Sequence, residues 1–317
     1  MLESSEKYMK SFDGELIWYR NLGIGQGTPL VLCDGLGCAG FIWKYFIRHF
    51  SRDHEIVHMN YRGHGRSPNP ECPENLGIDV NAKDLNAVLK DSRIRKKVVL
   101  VGHSLGVQVA FEFYRRFPQK VKGIIAINGS YGKLLHHVHN TDYLLRALPL
   151  LKFLAEKFPG AAQEFWKRVL KSPLPFSYAK IFEVNPFLAS REDFKPYFSD
   201  LANIDPSLFI NTLAAIADHC YEDRLEHIKV PTLIVSSEKD KFTPAHLSEH
   251  MHVKINQSEI LHVPTGSHVA PIEIPELVNL RVEKFLSQME SRRFDQRKAP
   301  RSHPRRKAAQ PQISQSR

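Results

Sequence analysis

No uninterrupted run of about 18 apolar residues occurs anywhere in the 317-residue chain, so no membrane-spanning helix is expected. The opening MLESSEKYMKSFDGE lacks the basic stretch and apolar core of a secretory signal. Cysteine is scarce: Cys33, Cys38, Cys72 and Cys220 are the only four, with none in CxxC spacing. That excludes a disulfide scaffold, and the cytoplasm is the expected compartment. Acidic residues are nearly missing from one place, residues 292–317, where nine Lys/Arg stand against Asp295 alone. The tail thus holds +8 of the net +10, and the other 291 residues carry only +2. The pI near 9.4 belongs to the tail, and the body gives no charge signature of specific nucleic-acid binding.

What is present is globular composition, with 42% hydrophobic and 25% charged residues, in a length that admits about two units or equally one enlarged α/β domain. Residues 5–20 read as two short strands around the Asp13-Gly14 turn. Gly23-Ile24-Gly25-Gln26-Gly27 precedes a strand instead of following one, so it reads as a turn and not as a dinucleotide loop. Strands and helices then alternate: strand Pro29–Cys33, helix Gly40–Phe50, strand Ile56–Tyr61, helix Val80–Leu89, strand Lys97–Gly102, helix Leu105–Phe117, strand Val121–Asn128. Near-continuous apolar strands such as VVLVG and GIIAI need both sheet faces covered, which predicts a doubly wound, mainly parallel sheet. The alternation resumes with strand Thr232–Ser236, a helix from about Pro244, strand Glu259–Val263 and a last helix Pro275–Met289.

Between the two blocks the strand pattern is missing. Residues 132–228 have helical spacing, as in YLLRALPLLKFLAEKF (interrupted by Pro149), and contain 14 of the chain's 32 aromatic residues in 31% of its length. Such an insertion suggests a helical lid over a site, although most of its aromatics need only glue it to the sheet. The expected organisation is therefore a core in two parts, 1–131 and 229–289, a lid at 132–228, and a basic, disordered tail at 290–317. That tail reads either as a plain solvated extension or as a weak contact for anionic surfaces. His136, His137 and His139 cluster at the start of the insertion, but only His136 and His139 would share a helix face and no carboxylate or cysteine joins them, so no metal site is read there.

The strongest local signal is Gly102-His103-Ser104-Leu105-Gly106 between a predicted strand and a predicted helix. A serine at that junction projects from a strained turn, and small residues two positions to either side let the turn close. With this motif in this position the chain resembles the α/β-hydrolase superfamily over roughly residues 5–288. The resemblance implies the chain order Ser, acid, His. Asp240, just past the Pro231–Val235 strand, fits the acid, and His268, in PTGSHVAPIEIPE before the last helix, fits the base. The strand one step earlier, an alternative place for the acid, ends in Asn128, which is no carboxylate.

The resemblance also implies an oxyanion hole from the backbone N–H groups of Leu105 and Leu36. Relatives usually show His-Gly-x-Gly after the first parallel strand; here it is Asp34-Gly35-Leu36-Gly37. A carboxylate near a developing oxyanion is unfavourable unless paired, so Asp34 is expected to be hydrogen-bonded to neighbouring backbone or a basic side chain. Val107 stands where many relatives have a further glycine. Arg62-Gly63-His64-Gly65-Arg66-Ser67 matches the family's RGxGxS turn and reads as structural, with Arg62 fixing the loop. Cys33 reads as a buried packing residue and Cys38 as a candidate for the pocket mouth.

These expectations describe a serine hydrolase acting on a carboxylic ester or thioester with an apolar acyl or alkyl group, through Ser104, His268 and Asp240, with no metal or cofactor implied. A serine at the elbow argues against the aspartate-nucleophile branches that open epoxides or remove halides. The rivals are carbon–carbon bond hydrolysis, a cofactor-free haloperoxidase, and a ligand receptor on the same fold that does not turn over.

Overall fold

The computed structural model describes residues 4–133, 143–182 and 184–298. Eight strands form one sheet: β1 (Ser4–Lys10), β2 (Leu16–Leu22), β3 (Leu30–Cys33), β4 (Ile56–Met59), β5 (Val98–His103), β6 (Val121–Ile127), β7 (Thr232–Ser237) and β8 (Ser258–Val263). The order is β1-β2-β4-β3-β5-β6-β7-β8, antiparallel where β2 meets β1 and β4 and parallel from β4 to β8. The doubly wound, mainly parallel sheet read from the alternation is thus present.

Alternate strand residues feed two cores, as the two-residue period of a strand requires. Val31, Val57, Leu100 and Ile124 pack with helices α2 (Ile78–Asp91) and α3 (Leu105–Arg116) on one face. Leu30, Leu32, Val99, Val101 and Ile125 pack on the other, against α1 (Lys44–Phe50) and the C-terminal helix, Pro275–Lys298. β3, β5 and β7 are buried along their whole length because both faces are covered.

Between β6 and β7 the described residues hold five α-helices, α4 (Tyr143–Lys157), α5 (Pro159–Lys171), α6 (Leu174–Phe182), α7 (Arg191–Asn203) and α8 (Pro206–Ala217), and a 3-10 helix, Glu222–His227. The helix α4 runs through Pro149 instead of breaking there. Ser190 and Asp205 start α7 and α8 by accepting backbone N–H groups of the first turn. His136, His137 and His139 lie outside the described residues. After β7 come α9 (Ala245–Lys254), the short α10 (Ala270–Glu273) and α11 (Pro275–Lys298).

One boundary differs from expectation. The last helix was to end at Met289, with disorder from 290, yet α11 continues through Lys298. Glu290–Lys298 contains neither Gly nor Pro, so nothing in it stops a helix until Pro300.

Candidate functional site

Ser104 sits between β5 and α3 with φ 54° and ψ −118°, a left-handed φ that is costly for a side-chain-bearing residue. The two flanking glycines make that turn possible. A Cβ on Gly102 would come within 2.4 Å of the Gly106 carbonyl oxygen, and one on Gly106 within 2.0 Å of that of Cys33. The spacing read as an elbow is therefore a close backbone crossing.

The three residues expected to act together are brought together. Ser104 Oγ lies 3.0 Å from His268 Nε2, and His268 Nδ1 lies 2.9 and 3.1 Å from the two Asp240 oxygens. With Nδ1–H donating to the carboxylate, Nε2 carries a lone pair and accepts the hydrogen bond of the Ser104 hydroxyl. Asp240 is 4% exposed and Ser104 7% exposed, so the chain of groups is largely shielded from water. Burial pushes the Asp240 carboxyl upward, but His268 and the hydrogen bonds from Thr243 outweigh it and hold the group below the usual carboxylate range. Asp240 Oδ1 accepts the N–H groups of Phe242 and Thr243, and Oδ2 accepts Thr243 Oγ1–H at 2.7 Å and Asn128 Nδ2–H at 3.0 Å. Asn128, set aside as a possible acid, is a donor to the acid instead. The Asp240–Thr243 turn had a legible signal, since an aspartate side chain commonly caps the N–H groups two and three residues on.

The loop after β3 lies against Ser104: a Cβ on Gly35 would be 3.3 Å from Ser104 Cβ. Leu105 opens α3, so its N–H is among the first four, which have no acceptor within the helix. Leu36 is partly buried, and its carbonyl oxygen accepts the Cys38 Sγ–H at 3.7 Å. Cys38 itself is 4% exposed and Cys33 2%, so both thiols are packed away.

Asp34 has found partners, only partly of the expected kind. Its buried carboxylate accepts Trp43 Nε1–H at 2.6 Å and His58 Nε2–H at 2.8 Å. Arg20 Nε–H in turn donates to His58 Nδ1 at 3.3 Å, which keeps the proton of His58 on the nitrogen facing Asp34. No neighbouring backbone N–H is needed. Replacing Asp34 with alanine strands two buried donors, Trp43 Nε1–H and His58 Nε2–H, and should cost about 2–4 kcal/mol of unfolding free energy. Denaturant titration measures this; a cost below about 1 kcal/mol would mean the pair is not buried as described.

Three further residues make contacts that the sequence analysis did not specify. Glu273 of α10 accepts the Ser267 N–H and Oγ–H next to His268, and also the N–H of Asn185 in the inserted segment. His64, in the RGHGRS turn, is buried with Nδ1 2.9 Å from the Arg62 carbonyl oxygen. His103, beside the serine, donates Nε2–H to the backbone carbonyl of His268 at 2.8 Å, while its Nδ1 is buried without a hydrogen-bond partner.

Burial, with the neighbouring His268 adding to it, holds the His103 pKa down to about 3. An unfolded histidine takes its proton near pH 6.5. Between those values the unfolded chain binds one more proton than the folded chain, so stability falls as pH falls. His103→Gln, which keeps a donor for the carbonyl, should remove this dependence, lowering the slope of stability on pH by about 1 kcal/mol per unit between roughly pH 6 and 4. Parallel denaturation series for the two proteins test it, and equal slopes would contradict it.

A buried Ser-His-Asp relay at a strand–helix elbow over a parallel sheet defines an α/β-hydrolase. The family model described as alpha/beta hydrolase fold matches residues 28–275, and the chain belongs to that family. It is similar to Epoxide hydrolase 4 of Mus musculus, 23% identical over 307 residues, covering 90% of this chain and 80% of that protein. It is also similar to the Putative carbamate hydrolase RutD of Rhizobium rhizogenes, 25% identical, covering 82% of this chain and 93% of that protein. An esterase structure from Rhodococcus sp. ECU1013 aligns with TM-score 0.73 at 20% identity, covering 90% of this chain and 99% of that one. At that identity the structural likeness speaks for the fold alone.

Proposed function

We propose that this protein is a serine hydrolase that cleaves a carboxylic ester or thioester with an apolar acyl or alkyl group. The observation that carries the reading is the continuous hydrogen-bonded line from Ser104 Oγ through His268 to Asp240. His268 Nε2 takes the serine proton as Oγ attacks the substrate carbonyl, and the N–H groups of Leu36 and Leu105 receive the oxyanion. The imidazolium returns its proton to the leaving alcohol or thiol, and an acyl-enzyme remains. Water, deprotonated by the same nitrogen, attacks the acyl carbonyl and frees Ser104. Asp240 keeps the imidazole in the working tautomer throughout.

The serine supports acyl transfer over epoxide opening on chemical grounds. A serine oxygen that opened an epoxide would be left in an ether, with no carbonyl for water to attack, whereas an acyl-serine is an ester. A carbamate carries the same kind of carbonyl and stays inside the acyl class. The apolar preference is supported by the insertion, acting as a lid: Leu36 clusters with Leu148, Leu213 and Phe209, and a Cβ on Gly37 would press on Leu201.

A panel of p-nitrophenyl esters of rising acyl length tests the reading. Turnover with a pre-steady-state burst is expected, falling on acidification because a protonated His268 cannot accept the serine proton. A folded chain that binds these esters but releases no p-nitrophenol would favour the receptor reading instead.

A further inference from the structure

The helices α4 and α5 leave many large apolar side chains in water. Leu148 and Ala155 form the buried side of α4, and Leu148 packs with Leu213 and Ala217 of α8. At about 100° per residue, Phe153, Leu150 and Leu154 lie about 140–240° around the helix from Leu148, on the side turned away from α8. They are 54%, 61% and 42% exposed, Phe158 just past the helix end is 52% exposed, and Phe165 of α5 is 69% exposed. Single exposed apolar residues need no explanation, but a concentration of this kind marks a contact surface.

Charge on the same two helices says what that surface fits. Residues 143–172 carry Arg146, Lys152, Lys157, Lys167, Arg168 and Lys171 against Glu156 and Glu164, a net +4, while the rest of the first 291 residues sums to −2. Lys157 Nζ stands 5.2 Å over the Phe153 ring and 5.7 Å over the Phe158 ring, so a cation sits at the apolar face itself. Leucine and phenylalanine bordered by lysine and arginine is the pattern of a helix lying in the headgroup plane, with rings in the acyl boundary and cations on phosphates. A second copy of the chain would set +4 against +4. Among the described residues no helix is long and apolar enough to cross a bilayer.

We propose that the outer face of α4, with Phe165 of α5, docks this protein on an anionic lipid bilayer. The inference stands independently of the role given to Ser104. Leu148, on the opposite side of α4 from the docking face, belongs to the apolar cluster against which Leu36 packs.

Cosedimentation of the full-length chain with phosphatidylcholine vesicles, with and without about one third phosphatidylglycerol, tests it. Binding to the anionic vesicles is expected, weaker on the neutral ones and weakened by salt. The Leu150→Gln/Phe153→Gln variant should bind about tenfold or more weakly, with unchanged melting and unchanged turnover of soluble esters. Leu154→Gln/Phe165→Gln is a second pair acting in the same direction, should the first fail to fold. The proposal is overturned if the parent does not bind, or if both pairs bind as the parent does. It is equally overturned if replacing Arg305, Arg306 and Lys307 with glutamine alone abolishes binding, or if the two pairs instead disperse a dimer seen by sedimentation.

Discussion

Ser104→Ala is expected to lower ester turnover by roughly four to six orders of magnitude while leaving the chain folded. The loss is large because, in the proposed mechanism, the Ser104 hydroxyl that stands 3.0 Å from His268 Nε2 is the attacking group. The cost to the fold is small because the strained backbone at 104 is held by Gly102 and Gly106 and by the bond from Ser104 N–H to the Ile127 carbonyl, all kept in the variant. Retention of more than about a tenth of parent turnover would remove Ser104 from the mechanism. Asp240→Asn should lose less than Ser104→Ala, since it disturbs the tautomer of His268 without removing the nucleophile.

Arg62→Met should produce the largest loss of stability, about 3–5 kcal/mol. Arg62 is 1% exposed and forks onto Asp84 with two bonds of 2.8 Å, and onto Asp13 at 2.8 and 2.9 Å. Burial opposes the charge on Arg62, but the two carboxylates outweigh it and raise its pKa. Asp84 is fully buried, and burial pushes its own carboxyl up even with the guanidinium beside it. Without Arg62 only the Ser11 hydroxyl, donating to Asp84 Oδ1, still opposes that penalty. A carboxyl raised in the folded state binds its proton more readily there than in the unfolded chain, so the variant should regain stability as pH falls. Chemical denaturation at neutral and mildly acidic pH measures both effects, and a loss below about 1 kcal/mol would show that the pair is not buried as described.

The sheet and the Ser-His-Asp line were legible because each rests on local signals. Strands such as VVLVG announce burial on both faces, and Ser104, Asp240 and His268 each stand just past a strand in the order the resemblance demands. The partners of Asp34 were not legible. Trp43 and His58 reach it from a following turn and from the neighbouring strand β4, and no spacing in the sequence encodes that meeting. The same holds for Glu273, whose bonds to Ser267 and Asn185 join segments 88 residues apart. The extent of α11 departs from expectation for a different reason: a stretch with almost no apolar residues reads as disordered, yet Glu290–Lys298 has neither Gly nor Pro to end the helix.

Labelling with a fluorophosphonate probe tests the central claim most directly, because the reagent phosphonylates, with loss of fluoride, a serine whose proton a neighbouring base removes. One equivalent should be incorporated, on the peptide carrying Ser104, and none in the Ser104→Ala protein. A folded parent that takes up no label, or takes it up at another residue, would contradict the account.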